Sequence, residues 1–191
     1  MSQLSFGRKR RRRVNYELVH EIFVWAVQII LVCLLAFALV WYFGKKISVI
    51  GDSMSPQLQN GDITLVNRLV YDARKPKRGE IIAFKPNGNE SSHFYMKRVI
   101  GLPGETVEYE DGMIYIDGEL LEEDYETTEI EEVGLLEEPI ELGEDEFFVL
   151  GDDRMNSEDS RAADVGNVKR SEIEGKVWFV VSPMEHFGFV K

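Results

Sequence analysis

Residues 22–43 form an unbroken apolar run in which Gln28 is the single clearly polar side chain. At 1.5 Å per residue a helix of that length spans about 33 Å, which matches a hydrocarbon core of about 30 Å. A secretory leader has a shorter apolar stretch of about 7–15 residues. The Ala36-Phe37-Ala38 triplet lies inside the run and more apolar residues follow it, so the run reads as a retained membrane helix. Trp25 near one end, and Trp41 and Tyr42 at the other, suit the two interfaces.

Beyond the run the apolar positions come in short β-rich segments. The pattern predicts strands over Ile47–Ile50, Ile63–Val66, Glu80–Phe84, Tyr95–Ile100, Thr106–Tyr109, Met113–Ile116, Glu119–Leu121, Phe147–Leu150 and Lys176–Val181. Asp111-Gly112 and Asp117-Gly118 are consecutive hairpin signals. No helical period appears outside the apolar run. The fold class predicted is therefore mainly β: one N-terminal transmembrane helix, then an antiparallel sheet domain with a small β insertion. Residues 122–146 hold 13 acidic side chains and no basic one. Such a stretch reads as a solvated face or a mobile insertion, and it lacks the Asp-x-Asp-x-Asp-Gly spacing of a calcium loop. The expected organisation is a basic tail at 1–21, a membrane helix at 22–43 and an outer domain at 44–191, with the β and acidic insertion at about 105–146.

Charge sets the expected orientation. The chain of 191 residues has a formal charge of -12, but residues 1–21 carry +4, with six basic residues from Arg8 to Arg13, and residues 44–191 carry -16. The basic cluster outweighs Lys45 and Lys46, so the N-terminus is expected in the cytoplasm and the body outside. So acidic a body argues against nucleic-acid binding. The one cysteine, Cys33, excludes an intrachain disulfide and any zinc site built from two or more cysteines. Its place inside the apolar run makes it a poor thiol catalyst. No metal or organic cofactor is expected.

Three segments carry candidate chemistry. Gly51-Asp52-Ser53-Met54-Ser55-Pro56 puts Ser53 in a turn after a strand, without the Gly-x-Ser-x-Gly spacing of an α/β-hydrolase elbow. On this fragment alone a turn serine bonded to backbone is the simpler reading. Lys97 lies in an apolar strand whose alternation puts Tyr95, Lys97 and Val99 on one face and Met96, Arg98 and Ile100 on the other. A lysine there either snorkels to water or is buried, loses its proton and becomes a general base. His93 and His186 are alternative bases for a serine triad, with nothing local to support either; His20 precedes the membrane span. The third segment, Gly151 to Arg161, is dense in hydrogen-bonding groups after the strand Phe147–Leu150 and suits either a solvated turn or a network that orients a site.

These segments, together with Met96-Lys97-Arg98-Val99-Ile100-Gly101-Leu102-Pro103-Gly104-Glu105, resemble the serine, lysine and terminal boxes of bacterial type I signal peptidases, in the family's order and after a membrane anchor. Gly61-Asp62 before an apolar strand resembles a fourth box. The resemblance covers roughly residues 22–182, and the single span and short body look like the Gram-positive type. It implies a membrane-anchored serine endopeptidase that removes signal peptides from exported preproteins after small residues of an Ala-x-Ala site. Ser53 then matches the nucleophile, Lys97 the general base, and Ser157 the hydroxyl that orients the lysine. Asp152, Asp159 and Arg161 match the surrounding polar scaffold, and the Ser53 N–H the oxyanion donor. Ile47, Val49, Met54, Leu58, Tyr95 and Met96 are the family-guided candidates for the substrate pocket. The implied partners are secretory preproteins and the lipid bilayer.

The chain departs from the family pattern at three places. Asp153 stands where Asn is usual, the glycine after Arg161 comes only at Gly166, and Gly51 occupies the position from which a serine in some relatives gives a second oxyanion donor. Ten residues separate Phe43 from Ser53, which holds the serine within about 36 Å of the span's end, where membrane-held substrates are met. Two other readings compete: a β domain that binds an outside partner with the boxes as relics, and a sister protease of narrower role. Intact Ser53, Lys97 and Ser157 weigh against the first.

Overall fold

The computed structural model describes residues 16–190, without the side chains of residues 39–43. The basic cluster Arg8–Arg13 and the side chains of Trp41 and Tyr42 therefore lie outside the described residues. The chain divides into two units, residues 1–41 and 42–191.

Helix α1 runs Tyr16–Phe43, with residues 16–41 in the first unit. It starts six residues before the apolar run, because helix geometry tolerates Glu17, His20 and Glu21 while hydropathy does not; Glu17 sits in the first turn, where the helix dipole favours an acid. Its segment Tyr16–Ala38 contains an 18-residue window of mean hydropathy 2.4, none of which is buried by protein. Leu31, Leu34, Leu35 and Phe37 are each more than half exposed, which a helix in water does not sustain.

The second unit holds two antiparallel sheets. The strands are β1 (Gly44–Ser48), β2 (Ile63–Asn67), β3 (Ile81–Phe84), β4 (Tyr95–Gly101), β5 (Thr106–Glu110), β6 (Met113–Ile116), β7 (Glu119–Leu120), β8 (Ile140–Glu141), β9 (Glu146–Leu150), β10 (Val168–Lys169), β11 (Ile173–Ser182) and β12 (Gly188–Phe189). The larger sheet has the order β1-β2-β11-β3-β4-β9-β10, with β12 on β11; the smaller has β7-β6-β5-β8. The mainly β expectation holds. A five-residue helix, α2 (Leu69–Ala73), and the two-residue strands β8, β10 and β12 are too short to leave a period in the sequence.

Strand β4 positions the chemistry. Lys97 is registered opposite Ile82 on β3, and Arg98 opposite both Ile81 on β3 and Leu150 on β9. Alternation sends Tyr95 and Val99 into one core cluster with Ile82, Phe84, Phe147 and Val149. Met96 goes to the other face, with Ile81, Ala83, Val177 and Val180. Both faces are covered, so every residue from Met96 to Gly101 is buried, the two cations included. Gly101 is required where the sheets meet: a Cβ there would lie 2.6 Å from Leu142 and 2.7 Å from Val107.

The acidic stretch is not simply solvated. Its Leu136 and Leu142 are buried in a third cluster with Ile100, Phe148 and Leu150. Its backbone and side chains also bond to the loop that follows β9, through Thr128 to Asp152 and Asp153 and through Glu132 to Arg161. Few apolar residues among many acids are enough to anchor it, and composition alone hides them.

Candidate active site

Ser53 lies in the loop between β1 and β2. Val49 and Asp62 staple the base of the loop, with the Val49 N–H donating to the Asp62 carbonyl at 2.8 Å. Asp52 and Ser55 close a turn around Ser53, the Ser55 N–H donating to the Asp52 carbonyl at 2.8 Å. Gly51 enters that turn at φ +83°, a conformation costly to residues with a Cβ. Met54 and Leu58 are fully buried and pin the loop from beneath. No acceptor among the described residues takes the Ser53 N–H, which is thus available to a ligand.

The Lys97 Nζ lies 2.6 Å from the Ser53 Oγ. Lys97 is 3% exposed. Burial, above all, pushes its amine down to about 8, aided by the Arg161 charge and opposed by Asp159, Glu158 and Asp152. The Tyr95 ring lies on the same strand face, 5.8 Å from the amine. The competing snorkelling geometry is therefore absent. His93 instead stacks on Tyr95 at 4.9 Å, and His186 pairs with Asp62 at 2.8 Å; neither bonds to Ser53.

The loop after β9 closes the site from the other side. The Asp153 N–H donates to the Ser53 carbonyl at 3.1 Å. Gly151 sits where the two loops touch, and a Cβ on it would meet the Ser53 carbonyl oxygen and the Ser157 Oγ. Asp159, fully buried, accepts from the Gly151 N–H at 3.1 Å and from Arg161 Nε at 2.8 Å and Nη2 at 2.9 Å. Arg161 spends its remaining donors on the carbonyls of Arg154 and Glu132. Asp153, in the place usual for Asn, accepts from Asn156 Nδ2 at 3.0 Å and from the Thr128 hydroxyl at 3.2 Å. Its carboxylate thus makes a turn of its own and clamps the acidic stretch.

Asp152 belongs to the scaffold through Arg98: its carboxylate forms a two-pronged ion pair with that guanidinium, at 2.8 and 2.6 Å, on the strand face opposite Lys97. The Tyr125 ring, 3.9 Å from that guanidinium, covers the pair. Sequence alternation separated Arg98 from Lys97, but no sequence signal joined Arg98 to Asp152. Two expectations need correction. Ser157 makes no hydrogen bond to Lys97; its Oγ is buried without a partner. Finally, Ile47, Val49, Met54 and Leu58 do not line the groove at Ser53 but are sealed in the core. Ile47 and Val49 alternate inward, which spends them on packing. The groove, of about 220 Å³, is walled by Ile50, Phe94, Tyr95 and Met96, with Asp52, His93, Asn156 and Glu158 supplying polarity. Ile50, next in the chain after Val49, is 60% exposed.

Among the described residues no three His, Cys, Asp or Glu side chains converge as a metal cluster would. The arrangement is a hydroxyl beside a buried, largely desolvated amine, next to an unspent backbone N–H. It can make an alkoxide-like nucleophile and receive an oxyanion.

Comparison with known proteins gives the same direction. The family model described as signal peptidase, peptidase S26, matches residues 22–182. Signal peptidase I P of Bacillus subtilis subsp. natto is 30% identical over 97% of this chain and 100% of its own length. Signal peptidase I of Bacillus caldolyticus is 36% identical over 83% of this chain and 90% of its own. A crystal structure of a signal peptidase I from Enterococcus faecalis V583 is 39% identical, covers 54% of this chain and 97% of that one, and superposes with a TM-score of 0.43. With the match running from the apolar helix through β11, the chain belongs to the signal peptidase I family and is a peptidase of the S26 class.

Proposed function

We propose that this peptidase cleaves exported preproteins after an Ala-x-Ala site, with Ser53 as nucleophile and Lys97 as general base. The observation that carries this is the 2.6 Å contact between the Lys97 Nζ and the Ser53 Oγ. Burial helps by holding the amine near 8, so that about a tenth of it is neutral at pH 7, against about 0.04% of a free lysine.

The neutral amine takes the Ser53 proton as Oγ attacks the scissile carbonyl. The Ser53 N–H donates to the oxyanion. The Lys97 ammonium then returns the proton to the leaving amine, and the mature protein departs. A water, deprotonated by Lys97, hydrolyses the acyl-serine. Ser157, whose Oγ is buried without a partner beside Gly151, is the hydroxyl this reading assigns to orient Lys97. Asp159 and Arg161 fix the loop that carries it, and Asp152 does so through Arg98.

Membrane anchoring follows from the apolar helix, and the N-terminus is assigned to the cytoplasm by the Arg8–Arg13 charges. Residues 44–191 would then be the outer catalytic domain, with residues 105–146 as its insertion. The narrow groove between Ile50 and the Phe94–Met96 wall suits small side chains near the scissile bond.

The test is incubation of detergent-solubilised protein with a preprotein that carries an Ala-x-Ala site, beside Ser53→Ala. Cleavage by the wild type alone is expected. Equal cleavage by Ser53→Ala refutes the nucleophile. Protease added to intact protoplasts should digest the C-terminal domain; protection would reverse the orientation.

A further inference from the structure

Glu158 is the acidic groove residue of the terminal loop that the proposed chemistry leaves unused. It lines the groove at Ser53. Its Oε2 accepts the Tyr95 hydroxyl at 2.8 Å, and Tyr95 is itself steadied by the stacked His93 ring. Several other carboxylates of the domain are neutralised: Glu80 by Arg74 and Lys176, Glu105 by Arg78, Glu123 by Arg154, Glu174 by Lys45 and Arg68. Among the described residues Glu158 has no cationic partner. It is a carboxylate held in place by one neutral donor, exposed, and facing the groove.

The balance of charge in the groove changes during the reaction. When Lys97 is neutral, as the nucleophile's activation requires, Asp52 and Glu158 are the charged residues that remain in the lining, histidine counted neutral. The reacting form thus has two uncompensated carboxylates, and a cation supplied by the substrate would compensate them.

From this geometry we infer that Glu158, oriented by Tyr95, is a specificity residue that receives a lysine or arginine side chain of the preprotein near the scissile bond. The inference rests on the serine-lysine reading above. The reach is bounded by contacts already given. Ser53 Oγ is 2.6 Å from the Lys97 amine, which is 5.8 Å from the Tyr95 ring centre, and the Tyr95 hydroxyl is 2.8 Å from Glu158. An extended peptide advances about 3.3 Å per residue, so the carboxylate faces a position within about four residues of the cut bond. A long, flexible basic side chain spans the rest. Charge pairing there has a second effect. Glu158 is one of the charges that favour the Lys97 ammonium, along with Asp159 and Asp152 and against Arg161. A substrate cation that screens it favours the neutral, reactive amine. Binding of a basic residue and activation of the base are therefore coupled.

The experiment uses the full chain in detergent and a panel of preproteins with Lys, Gln or Glu at each permitted position within about four residues on either side of the cut. It reads kcat/KM for wild type, Glu158→Gln and Ser53→Ala. At one or two positions Lys should exceed Gln by about 2- to 5-fold, and Glu should fall below it, as for a solvent-exposed ion pair. The preference should shrink between about 0.01 M and about 1 M ionic strength, where the Debye length falls from about 30 Å to about 3 Å. In Glu158→Gln, which keeps an acceptor for Tyr95, the preference should vanish and the midpoint of the pH–rate profile should move to lower pH. A panel without charge preference at any position, or a preference that survives in Glu158→Gln, overturns the assignment. Residual cleavage by Ser53→Ala would instead indict the nucleophile, so the two failures are distinguishable.

Discussion

Replacing Lys97 by Met is the perturbation that isolates the buried amine. In the folded protein that amine is held near 8, against about 10.4 for a free lysine. Every tenfold weakening of proton binding corresponds to about 1.36 kcal/mol, so the ammonium is about 3 kcal/mol less stable in the fold than in the unfolded chain. The folded value lies below the unfolded one, so the unfolded chain binds more protons between about pH 8 and pH 10.4. Stability must rise with pH across that window. Below about pH 8 the penalty is present in full; above about pH 10.4 it is gone. Met has similar length and no charge, and it suits a strand face that already carries Tyr95 and Val99. Lys97→Met should therefore be more stable than wild type at pH 7 by about 2 kcal/mol, once about 1 kcal/mol is conceded for the lost contact to Ser53. The advantage should disappear near pH 10, where other groups titrate alike in both proteins and cancel in the difference. Urea denaturation of both proteins in detergent, at pH 7 and at pH 10, measures this. The same variant should be inactive. Wild-type turnover should rise about 5-fold from pH 7 to pH 8, following the neutral amine. Lys97→Arg should be inactive at every pH, because a guanidinium keeps its proton. A stability difference that does not change with pH, or activity in either variant within a few fold of wild type, would refute the reasoning and return His93 and His186 to consideration as bases.

Other substitutions probe the frame around the dyad. Asp152→Ala leaves the Arg98 guanidinium buried and without its carboxylate, and should cost about 3–5 kcal/mol in urea denaturation; a loss under about 1 kcal/mol would mean that Tyr125 and the Gly79 carbonyl suffice for that charge. Gly151→Ala drives a methyl into the Ser53 carbonyl and Ser157, so the loops must separate; turnover should collapse for a stability loss of about 1–3 kcal/mol, and normal turnover would show that the contact does not position the serine. Ser157→Ala removes a buried hydroxyl that has no partner, so it should not destabilise the fold, yet it should slow cleavage about 5- to 150-fold if that hydroxyl turns to Lys97 during the reaction. Unchanged turnover in that variant assigns Ser157 to packing alone.

Features that depend on neighbours along the chain are legible in the residues alone. An apolar run longer than a core helix needs, alternation from Tyr95 to Ile100 and paired Asp-Gly turns each carry their own physics, and the helix, β4 and the hairpins of the smaller sheet follow from them. Family resemblance marked Ser53 and Lys97, 44 positions apart, but only the tertiary structure put their reacting atoms at 2.6 Å. Tertiary structure alone also decided which side chains were spent on packing. Ile47 and Val49 read as groove walls from their place before Ser53, yet alternation along a segment with one buried and one exposed face turns them inward and leaves Ile50 to the groove. Likewise Asp152, in the loop after β9, meets Arg98 on β4 only because those two strands are registered side by side. The acidic stretch looked like a solvated run because its many charges outweigh Leu136, Leu142, Tyr125 and Thr128 in any average over the segment. The reason is common to all these cases. Local pattern fixes the period and direction of a side chain, whereas its partner is fixed by strand order and loop closure, and those arise from burial summed over the whole domain.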